Sequence, residues 1–372
     1  MRIPAWGMTR GYVMNFIHFL SLQDSAISTL KLLNDNRCII SSKIPMGAFV
    51  SRAFVDASKK LDEYLRIARG PEVPASGGDR EIFARIKKDL NLSGDSTFQS
   101  VFRAYAKKVE KMDEDELERE MLDINGIYPS PSIFKPELYE YTRAPFQVDQ
   151  YASDQTSYDL QKHTLGGFLI RVAGYVYSRA GRVTVKGSGG KFHNLTALVL
   201  PIDVGFVTRY DFDSIIESLR KKQIPGFNPV EALVVWLALA LPKDAPEILI
   251  AGMEDPAGQS PAKINSLASV PLISFRERAK RFLEGINQKE NQKSWLMKSL
   301  ADAVRRDDSD SKLILKLLFR ALQNDILAVE ELSLRVSRIV MDDAFKSERK
   351  NKDYVRFCNS LLRNALPLLR YS

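Results

Sequence analysis

Apolar residues recur along this chain at two different spacings, and the change between them organises the reading. Through residue 127 the dominant spacing is three and four, which marks helices with one face turned to a core. Val13, Phe16, Ile17 and Leu20 share such a face, and the pattern predicts that this helix or a successor runs on through Ile27, Leu30 and Leu33. Asn34-Asp35-Asn36 supplies the stop. A second helix is predicted after Pro45, carrying Phe49, Phe54, Leu61 and Leu65 and ending at Gly70. Turn residues fill Gly70 to Gly78, which predicts an exposed loop. Further amphipathic helices hold Ile82, Phe83, Ile86 and Leu90, then Phe98, Val101, Phe102, Tyr105 and Val109. The acidic run Asp113 to Glu120 reads as a solvated helix face rather than a metal site.

Prolines 129, 131, 136 and 145 break the pattern between Tyr128 and Tyr158, predicting an irregular crossing. From Leu165 the pattern turns α/β. Leu169 to Ser178 is apolar enough to be helix or strand. Arg182 to Lys186 and Leu195 to Leu200 read as strands of a β-hairpin, with Gly187-Ser188-Gly189-Gly190 in a long tip flanked by Lys186 and Lys191. Helices are predicted over Phe212 to Lys222 and over the almost wholly apolar Pro229 to Leu241, and a strand at Glu247 to Ala251. A loop from Asp255 to Pro261 leads to an apolar segment, Val270 to Phe275. The remainder returns to helical spacing over Arg276–Leu283, Ser294–Arg305, Lys312–Leu322, Ile326–Ala344 and Tyr354–Leu369. Short polar links such as Asp307 to Ser311 predict antiparallel neighbours in a small bundle. The expected fold is α+β and predominantly helical, with a helical part at 1–127, an irregular crossing and central α/β domain at 128–284, and a C-terminal helical bundle at 285–372.

Composition changes this picture little. With 372 residues, 45% hydrophobic and 27% charged, the chain has the makeup of a globular protein of two or three packed units rather than of a disordered one. Neither Gly11 to Leu22 nor Ala232 to Leu241 reaches the ~20 apolar residues of a membrane span, so both read as core elements of a soluble, cytoplasmic protein. Cys38 and Cys358 lie far apart without Cys or His at ligand spacing, which excludes a zinc knuckle and makes partly buried thiols the expectation.

Charge changes it more. Residues 1–160 hold 21 Lys and Arg against 23 Asp and Glu, whereas residues 161–284 hold 16 against 11 and residues 285–372 hold 17 against 12. The net +8 therefore belongs to the second part of the chain, an electrostatic footprint that phosphate backbones exploit.

Candidate chemistry is sparse. Of three histidines, His18 falls in an apolar helix pattern, and His163 and His193 lack an Asp or Cys at ligand spacing. The Gly-Ser-Gly-Gly-Lys run has Val185 where a P-loop needs its first Gly and Phe192 where it needs a hydroxyl. No nucleophile elbow or dinucleotide fingerprint is present. Asp302, Asp307 and Asp310 read as a solvated helix end before they read as a nuclease site. The expectation is a non-enzymatic protein without a cofactor. Candidate nucleic-acid contacts are Arg182, Lys186 and Lys191 about the hairpin tip; Lys221 and Lys222 at a helix end; and Arg276, Arg278 and Arg281 in the densest basic stripe. A solvent loop and a helix-dipole preference account equally for the first two groups.

A basic, Gly-rich hairpin leads into ALVLPIDV (Ala197 to Val204), PVEALVVWLALALP (Pro229 to Pro242), EILIAGMED (Glu247 to Asp255), QSPAKINSLASVPLISF (Gln259 to Phe275) and a terminal helical region. Over residues 165–372 this layout resembles the large subunit of the archaeal type I-A CRISPR interference (Cascade) complex. The resemblance implies a non-catalytic subunit that helps recognise the protospacer-adjacent motif, holds duplex and displaced single-stranded target DNA, contacts the crRNA-bearing backbone subunits and engages a helicase-nuclease. In such complexes base pairing reads the sequence while protein reads a short motif and backbone shape. It carries over no motif-reading residue and no zinc. The alternatives are a metal-dependent nuclease and a structural protein-interaction subunit.

Overall fold

The computed structural model describes residues 1–4, 7–21, 26–33, 37–68, 77–94, 96–134, 162–186, 192–201, 248–254, 263–270, 309–345, 355, 358–359 and 361–367. In chain order the elements are α1 (Gly7–Ser21), β1 (Ile27–Leu32), β2 (Cys38–Ser42), α2 (Met46–Ala68), α3 (Gly77–Asp89), α4 (Phe98–Val109), α5 (Glu114–Leu122), β3 (Tyr128–Pro129), a 3-10 turn (Ser132–Phe134), β4 (Lys162–His163) and α6 (Leu165–Ser178). Then come β5 (Arg179–Lys186), β6 (Phe192–Pro201), β7 (Ile248–Glu254), β8 (Lys263–Val270), α7 (Ser309–Leu322), α8 (Ile326–Phe345) and a π-helical turn (Leu361–Ala365). Two compact units divide the chain: Met1–Arg182 with Leu195–Lys221 and Met253–Asn265, and Val183–Asn194 with Lys222–Gly252 and Ser266–Ser372. The architecture is α+β and mostly helical, as expected.

The first unit is built on two helix pairs. On α2, Phe49, Val50, Ala53, Phe54, Ala57 and Leu61 are buried at three-, four- and five-residue steps, and α4 answers with Val101, Phe102, Tyr105, Ala106 and Val109. Phe54 is the hinge of the aromatic packing, with its ring centroid 4.9 Å from both Phe16 and Tyr105. Burying an aromatic or a leucine of this kind contributes about 1.5–3 kcal/mol. At the pair's edge Asp62 is bridged by Gln99 and by Arg103. The second pair, α1 and α6, crosses so closely that a Cβ on Gly174 would lie 1.8 Å from the backbone oxygen of Tyr12. Only a residue without a side chain permits that approach.

One segment departs from the sequence expectation. Ile27 to Leu33 does not continue α1; β1 pairs antiparallel with β2, with Leu30 opposite Ile40 and Leu32 opposite Cys38. The β-branched Ile27, Thr29, Ile39 and Ile40, and an Asn-Asp-Asn sequence of turn-forming residue types between the two segments, favour a hairpin over a second helix. Leu169 to Ser178, open between helix and strand, is α6, started by Thr164, whose hydroxyl oxygen accepts from the Gly167 N–H at 2.9 Å. The expected Arg182–Lys186 and Leu195–Leu200 strands are β5 and β6, hydrogen-bonded neighbours in a four-stranded sheet of order β5-β6-β7-β8. Five residues separate them, too few for a parallel crossover, so they form a hairpin. The strand at Glu247–Ala251 is β7, and β8 is a strand the periodicity did not single out.

In the second unit α7 and α8 form a helical hairpin. Ile314, Leu317, Leu318, Ala321 and Leu322 of α7 are buried, as are Ala328, Val329, Leu332 and Val336 of α8. Asp325, in the turn, accepts the Ala328 N–H at 3.1 Å and pairs with Arg320. Both cysteines are buried, and neither is in a disulfide. Among the described residues no helix is long and apolar enough to cross a membrane. The helices expected at 212–222, 229–241, 276–283 and 294–305 lie outside the described residues.

Candidate functional site

Of the candidate nucleic-acid contacts, Arg182 and Lys186 fall on β5, four positions apart on the hairpin's first strand. Lys191, Lys221, Lys222, Arg276, Arg278 and Arg281 lie outside the described residues, as does the glycine tip at 187–190. Asp302 and Asp307 lie there too, and among the described residues no group of three His, Cys, Asp or Glu is arranged to hold a metal ion.

Among the described residues, the most elaborate polar arrangement is around Asp123. Helix α5 ends on Asp123, which takes a left-handed backbone conformation at φ 57° that Asp and Asn tolerate better than other side-chain-bearing residues. Its carboxylate then faces β4 and the start of α6. His163 Nδ1 lies 2.7 Å from Asp123 Oδ2, and Arg171 Nη1 lies 2.9 Å from the same oxygen. Asp123 Oδ1 accepts the Thr164 N–H at 2.8 Å. On the far side of the imidazole, Nε2 is 2.7 Å from Ser130 Oγ. A neighbouring carboxylate extends the network, since Glu120 Oε2 accepts both the Tyr105 hydroxyl at 2.8 Å and the Gly166 N–H. Thr164 Oγ1 donates to the Glu120 backbone oxygen at 3.0 Å. Gly167 completes the fit: a Cβ there would lie 2.2 Å from Asp123 Oδ1.

Electrostatics follow from this packing. Burial pushes the Asp123 carboxyl up, but the His163 hydrogen bond, the Arg171 charge and the Thr164 N–H together hold it below the ordinary carboxylate value. Burial lowers Arg171, and Asp123 opposes that shift. Burial and then Glu120 drive the Tyr105 hydroxyl well above its usual range, so it stays a donor. With Asp123 ionised, the hydrogen of His163 sits on Nδ1, and a neutral ring then accepts the Ser130 hydroxyl hydrogen at Nε2.

Serine, imidazole and carboxylate at these distances have the spacing of a nucleophile, base and orienting acid. Access is what the arrangement lacks. Ser130 is 1% exposed and His163 6%, so the hydroxyl presents no surface to a substrate, whereas a nucleophile needs an open position near oxyanion donors. The same Asp123 oxygen is also committed to Arg171. What the cluster does chemically is fasten the end of α5, the β3–β4 pair and the first turn of α6 together.

Sequence spacing missed this cluster because its members are 40 residues apart, from Asp123 to His163. Two local signals point to it. Arg171 is the lone charge in the apolar run Leu165–Ser178, and a buried charge demands a partner. The Asp123-Ile-Asn-Gly126 turn holds two left-handed residues, Asp123 and Asn125, and so offers a carboxylate at a fixed angle.

The family model described as CRISPR-associated protein, CsaX, matches residues 46–324. That span takes in both α2–α6 and the β5–β8 strands, and so includes helices from the half of the chain lying before the sequence resemblance begins. No curated protein and no solved structure matches the chain.

Proposed function

The chain belongs to the CsaX family of CRISPR-associated proteins, and from that premise we propose that it is a non-catalytic, DNA-contacting large subunit of an RNA-guided interference complex of type I-A. Membership of the family gives it a role in CRISPR defence. As such a subunit it helps recognise the protospacer-adjacent motif, holds duplex and displaced strand, and recruits the helicase-nuclease, alongside crRNA-bearing backbone subunits. The observation that carries it is the β5–β6 hairpin, which has Arg182 and Lys186 on its first strand, with Lys191 following in the sequence. A basic strand ending in glycines suits a phosphate backbone, because Lys and Arg neutralise phosphates while glycines let the main chain approach.

Duplex and single-strand binding measured across salt tests the proposal, using wild type and the charge reversals Lys186→Glu/Lys191→Glu and Arg276→Glu/Arg278→Glu. Each lost phosphate contact is expected to flatten the salt dependence by about one unit of log–log slope. Variants that bind as wild type does would remove these residues from the interface. Metal-dependent cleavage of DNA by the purified chain would overturn the non-catalytic assignment.

A further inference from the structure

Helix α8 is sealed on one face and bare on the other. Its buried residues Ala328, Val329, Leu332 and Val336 face inward with α7, and at 100° per residue Leu327, Leu334 and Met341 fall on the opposite side. These three are 73%, 72% and 63% exposed. Scattered exposed leucines are ordinary, but these stand seven residues apart, the repeat that keeps one seam facing a second helix over two turns at a time. Together they mark a stripe about 21 Å long. Leu334 also lines a groove of about 520 Å³, in which Leu362 and Pro367 meet Glu330 and Ser337 of α8.

We propose that this stripe is a self-pairing surface, on which α8 of a second copy of the chain packs antiparallel about a two-fold axis at Leu334. The charges beside the stripe select both the occupant and the direction. Glu331 and Arg338, both exposed, lie on the same flank of the seam, one on either side of Leu334 along the helix. With Leu334 against its counterpart, Leu327 falls opposite Met341 of the second copy. The same rotation sets Glu331 beside Arg338 of the second copy, and symmetry makes that pair twice. A parallel pair instead sets Glu331 beside Glu330 of the second copy, like against like. Exposed ion pairs choose register and partner more than they supply affinity. A seam of this length is at the small end of specific interfaces, so the dimer is weak and concentration-dependent.

Sedimentation equilibrium of the full chain over a range of concentrations tests this, with urea unfolding as a check that each variant folds. Wild type is expected to dimerise reversibly. Leu334→Glu places two carboxylates face to face on the axis and is expected to raise the dissociation constant about a hundredfold or more. Glu331→Arg is expected to weaken the dimer about tenfold, and the exchange Glu331→Arg/Arg338→Glu to restore it. Under oxidation Leu334→Cys is expected to cross-link to itself. A wild type that stays monomeric, including one whose bare face instead holds a different protein, overturns the proposal. So does a dimer that Leu334→Glu leaves intact or whose charge exchange restores nothing.

Discussion

Helices α6 and α8 are both rich in apolar residues, yet they meet their surroundings in opposite ways. Every residue of α6, from Leu165 to Ser178, is buried, including its one charge, Arg171. Helix α8 buries one stripe and leaves four large apolar side chains, Ile326, Leu327, Leu334 and Met341, in solvent. A helix closed on all sides must settle its polar groups internally, which is why Asp123, Glu120 and Thr164 converge on the first turns of α6. A helix open on one side carries its unsettled surface outward. Substitutions in α6 should therefore be read in folding, and substitutions on the bare face of α8 in association.

The largest effect is expected from Asp123→Ala, which leaves Arg171 buried without its carboxylate. Removing one partner of a buried pair costs about 3–5 kcal/mol, read as a fall in the urea midpoint of the first unit. The same residue fixes a pH dependence. Its native carboxyl lies below the ordinary value of 3.8, so the unfolded chain binds the extra proton. The stabilisation is complete above that value and is lost as pH falls from it through the lower native one. The stability gap between wild type and Asp123→Asn is expected to close over that acid window; a gap constant with pH would show that the carboxylate charge is not what stabilises α6. Next in size is Gly174→Ala. Its Cβ has backbone, not a yielding side chain, 1.8 Å away, so α1 and α6 must separate, at about 3 kcal/mol in the same measurement.

Much of the closed region was legible from periodicity. Phe49, Phe54 and Leu61 on α2 and Val101, Phe102 and Tyr105 on α4 occupy the core that their spacing assigns. Ile27 to Leu32 was not legible in this way, because Ile27 and Leu30 fit a helical step as well as a strand, and pairing with Cys38 to Ser42 decides between them. The Asp123 cluster escaped for a different reason. Polar networks between elements leave no period in a sequence, and the lone Arg171 in an apolar run and the Asp123-Ile-Asn-Gly126 turn are the local signs of this one. Among the residues chosen for nucleic-acid contact, Arg182 and Lys186 have a place in the fold, on β5. Charge clustering along a chain says which residues are basic; it does not say which of them share a surface.

Capping offers a smaller version of the comparison, since each helix begins on a side chain that accepts from its own first turn. Thr164 caps α6 from inside the network, accepting from Gly167 and donating to the Glu120 oxygen. Thr164→Ala is expected to cost about 1–2 kcal/mol, and the loss should not depend on salt. Asp325 caps α8 from solvent, where the Ala328 N–H and then Arg320 hold its carboxyl below the usual range. Asp325→Ala is expected to shift the midpoint of the second unit less, by an amount that shrinks further at high salt. Equal losses, both indifferent to salt, would remove the distinction between a closed and an open helix start.

The smallest expected change in stability separates the two helices most sharply. Leu334→Glu adds a charge where the native side chain already stands in water, so the unfolding free energy of dilute protein should stay within about 0.5 kcal/mol of wild type. Dilution matters, because any dimer adds its own concentration-dependent stabilisation to the wild type. Raising the protein concentration should therefore lift the wild-type midpoint and leave that of Leu334→Glu where it was. If the variant instead loses stability at every concentration, the face of α8 is buried within the monomer, and both helices would belong to closed cores.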